Sequence, residues 1–270
     1  MRKTFFTLFF LGGCLLSLPA YSQHFPISEI PAALLQNADH VVREYELQFE
    51  ITSLNHEIWR KHIVITVIKG KARQEADLAQ FYNSNIRITD IEGFLYDADG
   101  RMVKKFSDKD IADQSAVEDG SLYSDQRVKL IRPVSPVYPF TVEYVVEYVV
   151  KKILNYPVWI PRDAFNQSVQ HSRLLIKAEP SLFPRIKALR LAQFNVKESK
   201  KENECSWEVS SLAALNPEPL SPGIEALSPM LVTAPAEYSV KGYTGDFTSW
   251  KGVGLWKAQL LEDRDSLDKV

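Results

Sequence analysis

The sequence predicts a mainly β protein, an antiparallel β-sandwich with a short N-terminal helix and a C-terminal helical tail, and three stretches carry that prediction. In Phe140–Val150 the even positions are Phe, Val, Tyr, Val, Tyr and Val, while Thr141, Glu143 and Glu147 interrupt the odd ones. That period of two marks a strand with one buried face. Burying those side chains contributes roughly 1.5–3 kcal/mol each, which requires a substantial sheet around the strand. Glu44–Thr52 repeats the pattern, with Tyr45, Leu47, Phe49 and Ile51 on one face and Glu44, Glu46, Gln48 and Glu50 on the other. Asp97-Ala98-Asp99-Gly100 joins the runs Ile86–Tyr96 and Arg101–Phe106 as a hairpin turn.

Bulk composition bounds the rest. A chain of 270 residues that is 45% hydrophobic and 24% charged holds one large domain or two small ones and is too apolar for disorder. Its net charge of -2, with the pairs Lys104–Lys105, Lys151–Lys152 and Lys200–Lys201 far apart, leaves no electrostatic case for nucleic acid.

Residues 1–22 read as a secretory signal: Arg2 and Lys3, an apolar run over Thr4–Leu18, and the small-x-small site Ala20-Tyr21-Ser22 before Gln23. Loss of Arg2 and Lys3 takes the formal charge from -2 to -4, and no transmembrane span is expected to remain. The expected address is the periplasm or cell envelope. A competing signal lies inside the run, because Leu11-Gly12-Gly13-Cys14 resembles the lipobox of bacterial lipoproteins, which would place a lipid on Cys14. If Cys14 leaves with the signal, Cys205 is the one remaining thiol and no internal disulfide forms.

Beyond the signal, Ile27, Ile30, Leu34 and Ala38 place a short helix over Ser28–Asp39. The Glu44–Thr52 strand turns at Ser53-Leu54-Asn55-His56 into a second strand through Trp59, Ile63, Ile65 and Val67. Ala72–Asn83 is read as strand because Phe81 and Tyr82 follow directly. Ser107–Arg127 is polar and should be a loop crossing a sheet edge. Val128–Ile131 and the turns at Pro133, Pro136 and Pro139 then lead into the central strand. Phe165–Ala178 and Ile186–Phe194 supply further strands, Lys197–Glu204 a charged connection, and Cys205, Trp207 and Val209 an inward alternation. Five prolines between Asn216 and Pro235 argue against a place in mid-sheet and for an extended run along the surface.

The candidate chemistry is thin. The hairpin aspartates fail as a calcium loop, because placing Gly100 at the sixth position puts Leu95 and Phe106 where carboxylates are needed. Cys205 lies in a strand-like Cys-x-Trp-x-Val pattern without a neighbouring base and reads as buried structure. Glu143 and Glu147 would stand about 13 Å apart along a strand, too far for a glycosidase pair, and read as its solvated face. His56 and His62 would stand about 20 Å apart on one strand and cannot share a metal. His171 and Ser172 point to opposite faces of theirs. Tyr123, Tyr138, Tyr156 and Trp159 fall in or beside loops, where amphipathic rings suit contact with glycan or peptide, and Asp125 joins them as a candidate binding residue; the alternative is that the rings seal the end of the core. No metal site and no cofactor are expected.

The run Gly100…Ser107-Asp108…Ser121-Leu122-Tyr123-Ser124-Asp125…Tyr138-Pro139-Phe140-Thr141-Val142-Glu143-Tyr144, followed by Pro157-Val158-Trp159-Ile160-Pro161, resembles the family catalogued as domain of unknown function 3857. The resemblance covers about residues 27–240 and implies an exported β-sandwich domain of the kind that precedes a transglutaminase-like domain with a cysteine–histidine–aspartate triad. Gly242–Trp250 and Gly254-Leu255-Trp256 resemble the linker and first helix leading into that domain, so 23–240 is expected as the sandwich and 241–270 as linker and helix start. The family's catalytic triad has no counterpart in this sequence. The function implied is that of a non-catalytic scaffold with a docking tail at Trp250, Leu255 and Trp256, partnered by a transglutaminase-like domain or an envelope protein. The alternative is a free-standing envelope module binding polysaccharide or peptide through loop aromatics; a hydrolase in its own right is a third reading.

Overall fold

The structure, a computed structural model, describes residues 24–116, 124–151, 156–240 and 242–262. The signal segment with Cys14, together with Tyr123, lies outside them.

After a 3-10 turn at Ile27–Glu29 comes a single helical turn, Ala32–Leu35 (α1). His40–Ser53 (β1) and His56–Val67 (β2) form a long hairpin, and a 3-10 segment over Gly70–Ala76 leads to Leu78–Tyr82 (β3). Ile86–Tyr96 (β4) and Met102–Lys105 (β5) make the second hairpin, followed by Ala112–Ser115 (β6) and Arg127–Ile131 (β7). Then come Phe140–Val150 (β8), Val158–Trp159 (β9), Gln167–Ala178 (β10), Arg185–Leu189 (β11), Lys197–Lys201 (β12), Glu204–Leu212 (β13) and Met230–Ala234 (β14). The chain closes with the hairpin Glu237–Val240 (β15) and Tyr243–Asp246 (β16) and the helix Trp250–Leu261 (α2).

One eight-stranded sheet, β12-β13-β10-β1-β2-β8-β4-β5, is the frame; its pairs are antiparallel except β1 with β10. Two three-stranded sheets cover its inner face side by side. β11-β14-β9 closes a core in which Trp159 and Leu231 meet Leu47, Phe49, Leu174, Ile176, Cys205 and Trp207. β3-β7-β6 closes another, where Leu78 and Ile131 meet the even positions of β8, all of them buried. Trp59, on β2, packs against both.

Several elements differ from the sequence reading. Met230–Ala234 lies in the middle of its sheet, between β11 and β9, because Pro229 and Pro235 bracket the strand and leave every amide within it free to pair. The strand expected over Ala72–Asn83 begins only at Leu78, since Ala72 and Ala76 are buried at helical rather than alternating spacing. The 107–127 loop contains β6, and the charged connection at 197–201 is the edge strand β12, with every side chain exposed.

The largest correction concerns the odd face of β8. Glu147 is half-buried and pairs with Arg60, but Glu143 is 4% exposed rather than solvated. It accepts hydrogen bonds from His62 Nε2 at 2.8 Å and from the Tyr96 hydroxyl at 2.5 Å. The N-terminal segment lies over this end of the outer face. Phe25 packs edge-on against Tyr96, and Arg43 sits over the Phe25 ring and donates to the Pro26 carbonyl. Gly100, at φ 80°, makes the approach possible, because a Cβ there would stand 2.5 Å from the Pro26 nitrogen.

Candidate functional site

The two small sheets do not meet over the middle of the large one. Between them runs a cleft of about 320 Å³ floored by Val42 and Tyr45 of β1 and Ile63 and Ile65 of β2. Val158, Ile160 and Pro161 line it from the β9 side and Glu75 from the turn before β3, with His40, Asp163 and Gln167 completing the lining. Tyr45, Ile63 and Ile65 belong to the inward alternation of their strands, yet they are only half-buried.

The ionisable groups come from three distant segments. His40 opens β1 opposite Gln167 of β10, which fixes it between two paired strands. Gln167 Oε1 accepts from the amides of Asp163 and Ala164 and so holds the loop that carries Asp163. Glu75 and Asp163 are exposed. Burial pushes the His40 imidazole below its ordinary value, against the pull of Glu75, Asp163 and Asp39. Burial and the Asp163 carboxylate push the Tyr45 phenol up to about 12. At neutral pH the cleft therefore presents two carboxylates, a neutral imidazole and a neutral phenol.

A second candidate surface is the C-terminal unit. α2 rests on the β15–β16 hairpin, where Trp256 meets the buried Tyr238 edge-on with centroids 4.5 Å apart and Tyr238 lies against Phe247 at 3.8 Å. Gly245 permits this approach, since a Cβ would fall 2.5 Å from Tyr238 and 2.8 Å from Trp256. The Ser249 hydroxyl caps the helix by accepting from the Gly252 amide. The Asn55 amide, in the orientation its neighbours require, donates to the Ser239 carbonyl at 2.7 Å and ties the unit to the β1–β2 turn. On the outer side Trp250 is 90% exposed and Leu255 and Leu261 58% each. Trp250 and Leu261 are about three turns apart and share a stripe.

The residues predicted from sequence do not converge. Trp159 is fully buried and donates to the Ser172 hydroxyl at 3.0 Å. Tyr156 is buried against Phe49, and Tyr138 packs on Phe140, half-buried. These rings seal the core. Asp125 is exposed and accepts from the Ser84 amide at 2.8 Å, and the Ser84 side chain first, then that amide, hold its carboxyl below the usual range. Of the tail residues, Trp250 and Leu255 are exposed, whereas Trp256 is buried because Tyr238 and Gly245 form a pocket that the sequence spacing does not reveal.

Cys205 is buried, and burial pushes its thiol up, so it is no poised nucleophile. Ser172 faces inward, while His171 faces outward between Glu44 at 2.6 Å and Glu208 at 3.2 Å. Among the described residues no cluster of His, Cys, Asp and Glu is arranged to hold a metal. The cleft residues His40, Glu75 and Asp163 escaped the sequence reading because no spacing links them. The one local hint is Asp39-His40, a polar pair directly before the buried Val41 and Val42.

The family model described as "Domain of Unknown Function with solved-structure structure (DUF3857)" matches residues 55–216. No curated protein matches the chain. Among solved structures it is similar to a "putative protease" from Parabacteroides distasonis, at 17% identity and a TM-score of 0.58, over 73% of this chain and 40% of that one. Weaker matches include Legionella pneumophila aminopeptidase A in complex with aspartic acid, at 10% identity and a TM-score of 0.32, over 90% of this chain and 28% of that one. Another is an M1 zinc metallopeptidase from Deinococcus radiodurans, at 10% identity and a TM-score of 0.32, over 77% of this chain and 46% of that one. The chain spans less than half the length of each of these solved chains.

Proposed function

We propose, from the premise that this chain belongs to the DUF3857 family, that it serves as an exported, non-catalytic module that docks a transglutaminase-like catalytic domain through α2. The observation that carries this reading is the split character of that helix. Trp256 anchors it on the β15–β16 hairpin, while Trp250 and Leu261 leave an apolar stripe facing solvent. The engagement of His171 by two glutamates and the burial of Cys205 support a role without a nucleophile in this chain. The fold shared with part of the Parabacteroides distasonis protein supports a module working within a longer assembly.

The test mixes the purified chain with a separately produced transglutaminase-like domain from an exported protein of this family and reads association by calorimetry. Binding is expected, weakened about tenfold or more by Trp250→Ser with Leu261→Ser, together with no peptide hydrolysis by the chain alone. Absence of binding, or binding indifferent to the two substitutions, removes the docking role. Peptide hydrolysis by the purified chain removes the non-catalytic one, and its persistence or loss in Cys205→Ala tells whether Cys205 carries it.

A further inference from the structure

The cleft between the two small sheets has a chemical bias independent of α2. Its ionisable lining consists of Glu75, Asp163, Tyr45 and His40, with no lysine or arginine among the lining residues. The ion pairs found among the described residues leave Glu75 and Asp163 uncompensated: Asp39, Asp77 and Asp110 each have a basic partner, whereas these two carboxylates have none. Below them is an apolar floor of Val42, Ile63 and Ile65, of which Val42 is buried and Ile63 and Ile65 are only half-covered.

His40 is the second and independent sign of a ligand. It is 3% exposed and lines the cleft. The rings of His24, His56, His62 and His171 each take part in a hydrogen bond, but among the described residues none reaches the ring of His40. Its nitrogens are not among the sealed, unpaired atoms of the interior, so the otherwise buried ring opens onto the cavity and is free to meet a polar group that enters it. Held neutral by its surroundings, the ring keeps one nitrogen lone pair as an acceptor. Tyr45, whose phenol oxygen can also accept, lines the same cleft.

Two carboxylates, a neutral imidazole and a phenol oxygen above an aliphatic floor match a donor-only cation on a hydrophobic stem. We propose that the cleft binds a primary ammonium carried on an apolar chain, the chemistry shared by the free N-terminus of a peptide that begins with an apolar residue and by a lysine side chain. The ammonium would sit among Glu75, Asp163 and His40, with its stem against Ile63 and Ile65. An anion would meet two like charges, and a neutral alcohol would leave both carboxylates without a counter-charge.

Titration of the full chain at pH 7.5, followed by amide chemical shifts, tests this with n-hexylamine, 1-hexanol and hexanoate, which share a stem and differ in the head group. Saturable shifts centred on His40, Ile63, Ile65 and Ile160 are expected with hexylamine, at an affinity about tenfold or more above hexanol and hexanoate. Glu75→Gln with Asp163→Asn should bring hexylamine down to the level of hexanol; both side chains are exposed, so the fold is retained and the unshifted amides report it. Equal binding of hexylamine and hexanol, an affinity unchanged in the double variant, or no saturable response to hexylamine would each overturn the proposal. Two further ligands separate the sources: Leu-Gly-Gly with its N-acetylated form, and N-acetyl-lysine N-methylamide. Tighter binding of free Leu-Gly-Gly than of the lysine derivative assigns the site to peptide N-termini, and the reverse order assigns it to lysine side chains.

Discussion

The two faces of the eight-stranded sheet are held by different physics. On the inner face β8 places Phe140, Val142, Tyr144, Val146, Tyr148 and Val150 in dry contact with the small sheet β3-β7-β6, and the Tyr144 hydroxyl is satisfied by the Ala76 carbonyl at 2.7 Å. On the outer face the same strand places Thr141 against Thr66 at 2.8 Å, Glu143 between His62 and Tyr96, and Glu147 against Arg60. The outer pattern continues across the sheet, with Arg173 beside Glu46 and His171 between Glu44 and Glu208. Burial of area stabilises the first face, and paired donors and acceptors make burial of the second tolerable. The inner face should therefore respond to volume and polarity, and the outer face to the loss of single partners and to pH.

The sharpest separation comes from Val146→Asp, which puts an unpaired carboxylate into the inner core and should cost on the order of 5 kcal/mol, enough to abolish cooperative urea unfolding. A variant within about 1 kcal/mol of the parent would show the faces reversed. Glu143→Ala should cost about 2 kcal/mol, because it leaves the buried Tyr96 hydroxyl without its acceptor and His62 without its partner. If the urea midpoint did not move, the N-terminal cover over that end of the sheet would be open to water.

Stability should fall as pH rises from 5 to 8. Burial raises the Glu57 carboxyl from 4.5 to about 7, so the folded chain binds more protons than the unfolded one between those values, and stability declines across that window. His62 and His171 are raised above 6.5 by their glutamates, and their contribution is complete below 6.5 and lost as pH climbs through their folded values. His40, lowered by burial, acts in the opposite sense below 6.5. Urea midpoints at successive pH values would show the decline. In His62→Gln with His171→Gln the part above pH 6.5 should shrink, while Val146→Ala should keep it; an unchanged slope would place the titration elsewhere. The smallest effect is expected for Glu147→Gln, below about 0.5 kcal/mol, because its ion pair with Arg60 is half-exposed. A cost equal to that of Glu143→Ala would erase the distinction within the outer face.

Much of the fold was legible in the chain. β1, β2, β4 and β8 announce themselves by alternation and the β4–β5 turn by Asp97–Gly100, because those signals are local. β14 was hidden, since prolines that flank a strand and prolines that break one look alike when only their density is read. Glu143 was misplaced because a period of two assigns a side chain to a face without saying what later covers that face. Tyr156 and Trp159 follow the same logic: loop-adjacent rings were visible as candidates, but only the closure of β9 and β14 over β1 and β10 decided that they were core.

The sequence by itself determined the β class and the sidedness of the long strands, because residue type and nearest-neighbour spacing are enough to set them. The tertiary structure alone decided that the two small sheets stop short of each other, that His40, Glu75 and Asp163 from segments far apart in the chain line one gap, and that Trp256 is covered while Trp250 is not. Those outcomes depend on contacts between residues distant in sequence, and a local pattern carries no information about which distant surface will arrive or where it will end.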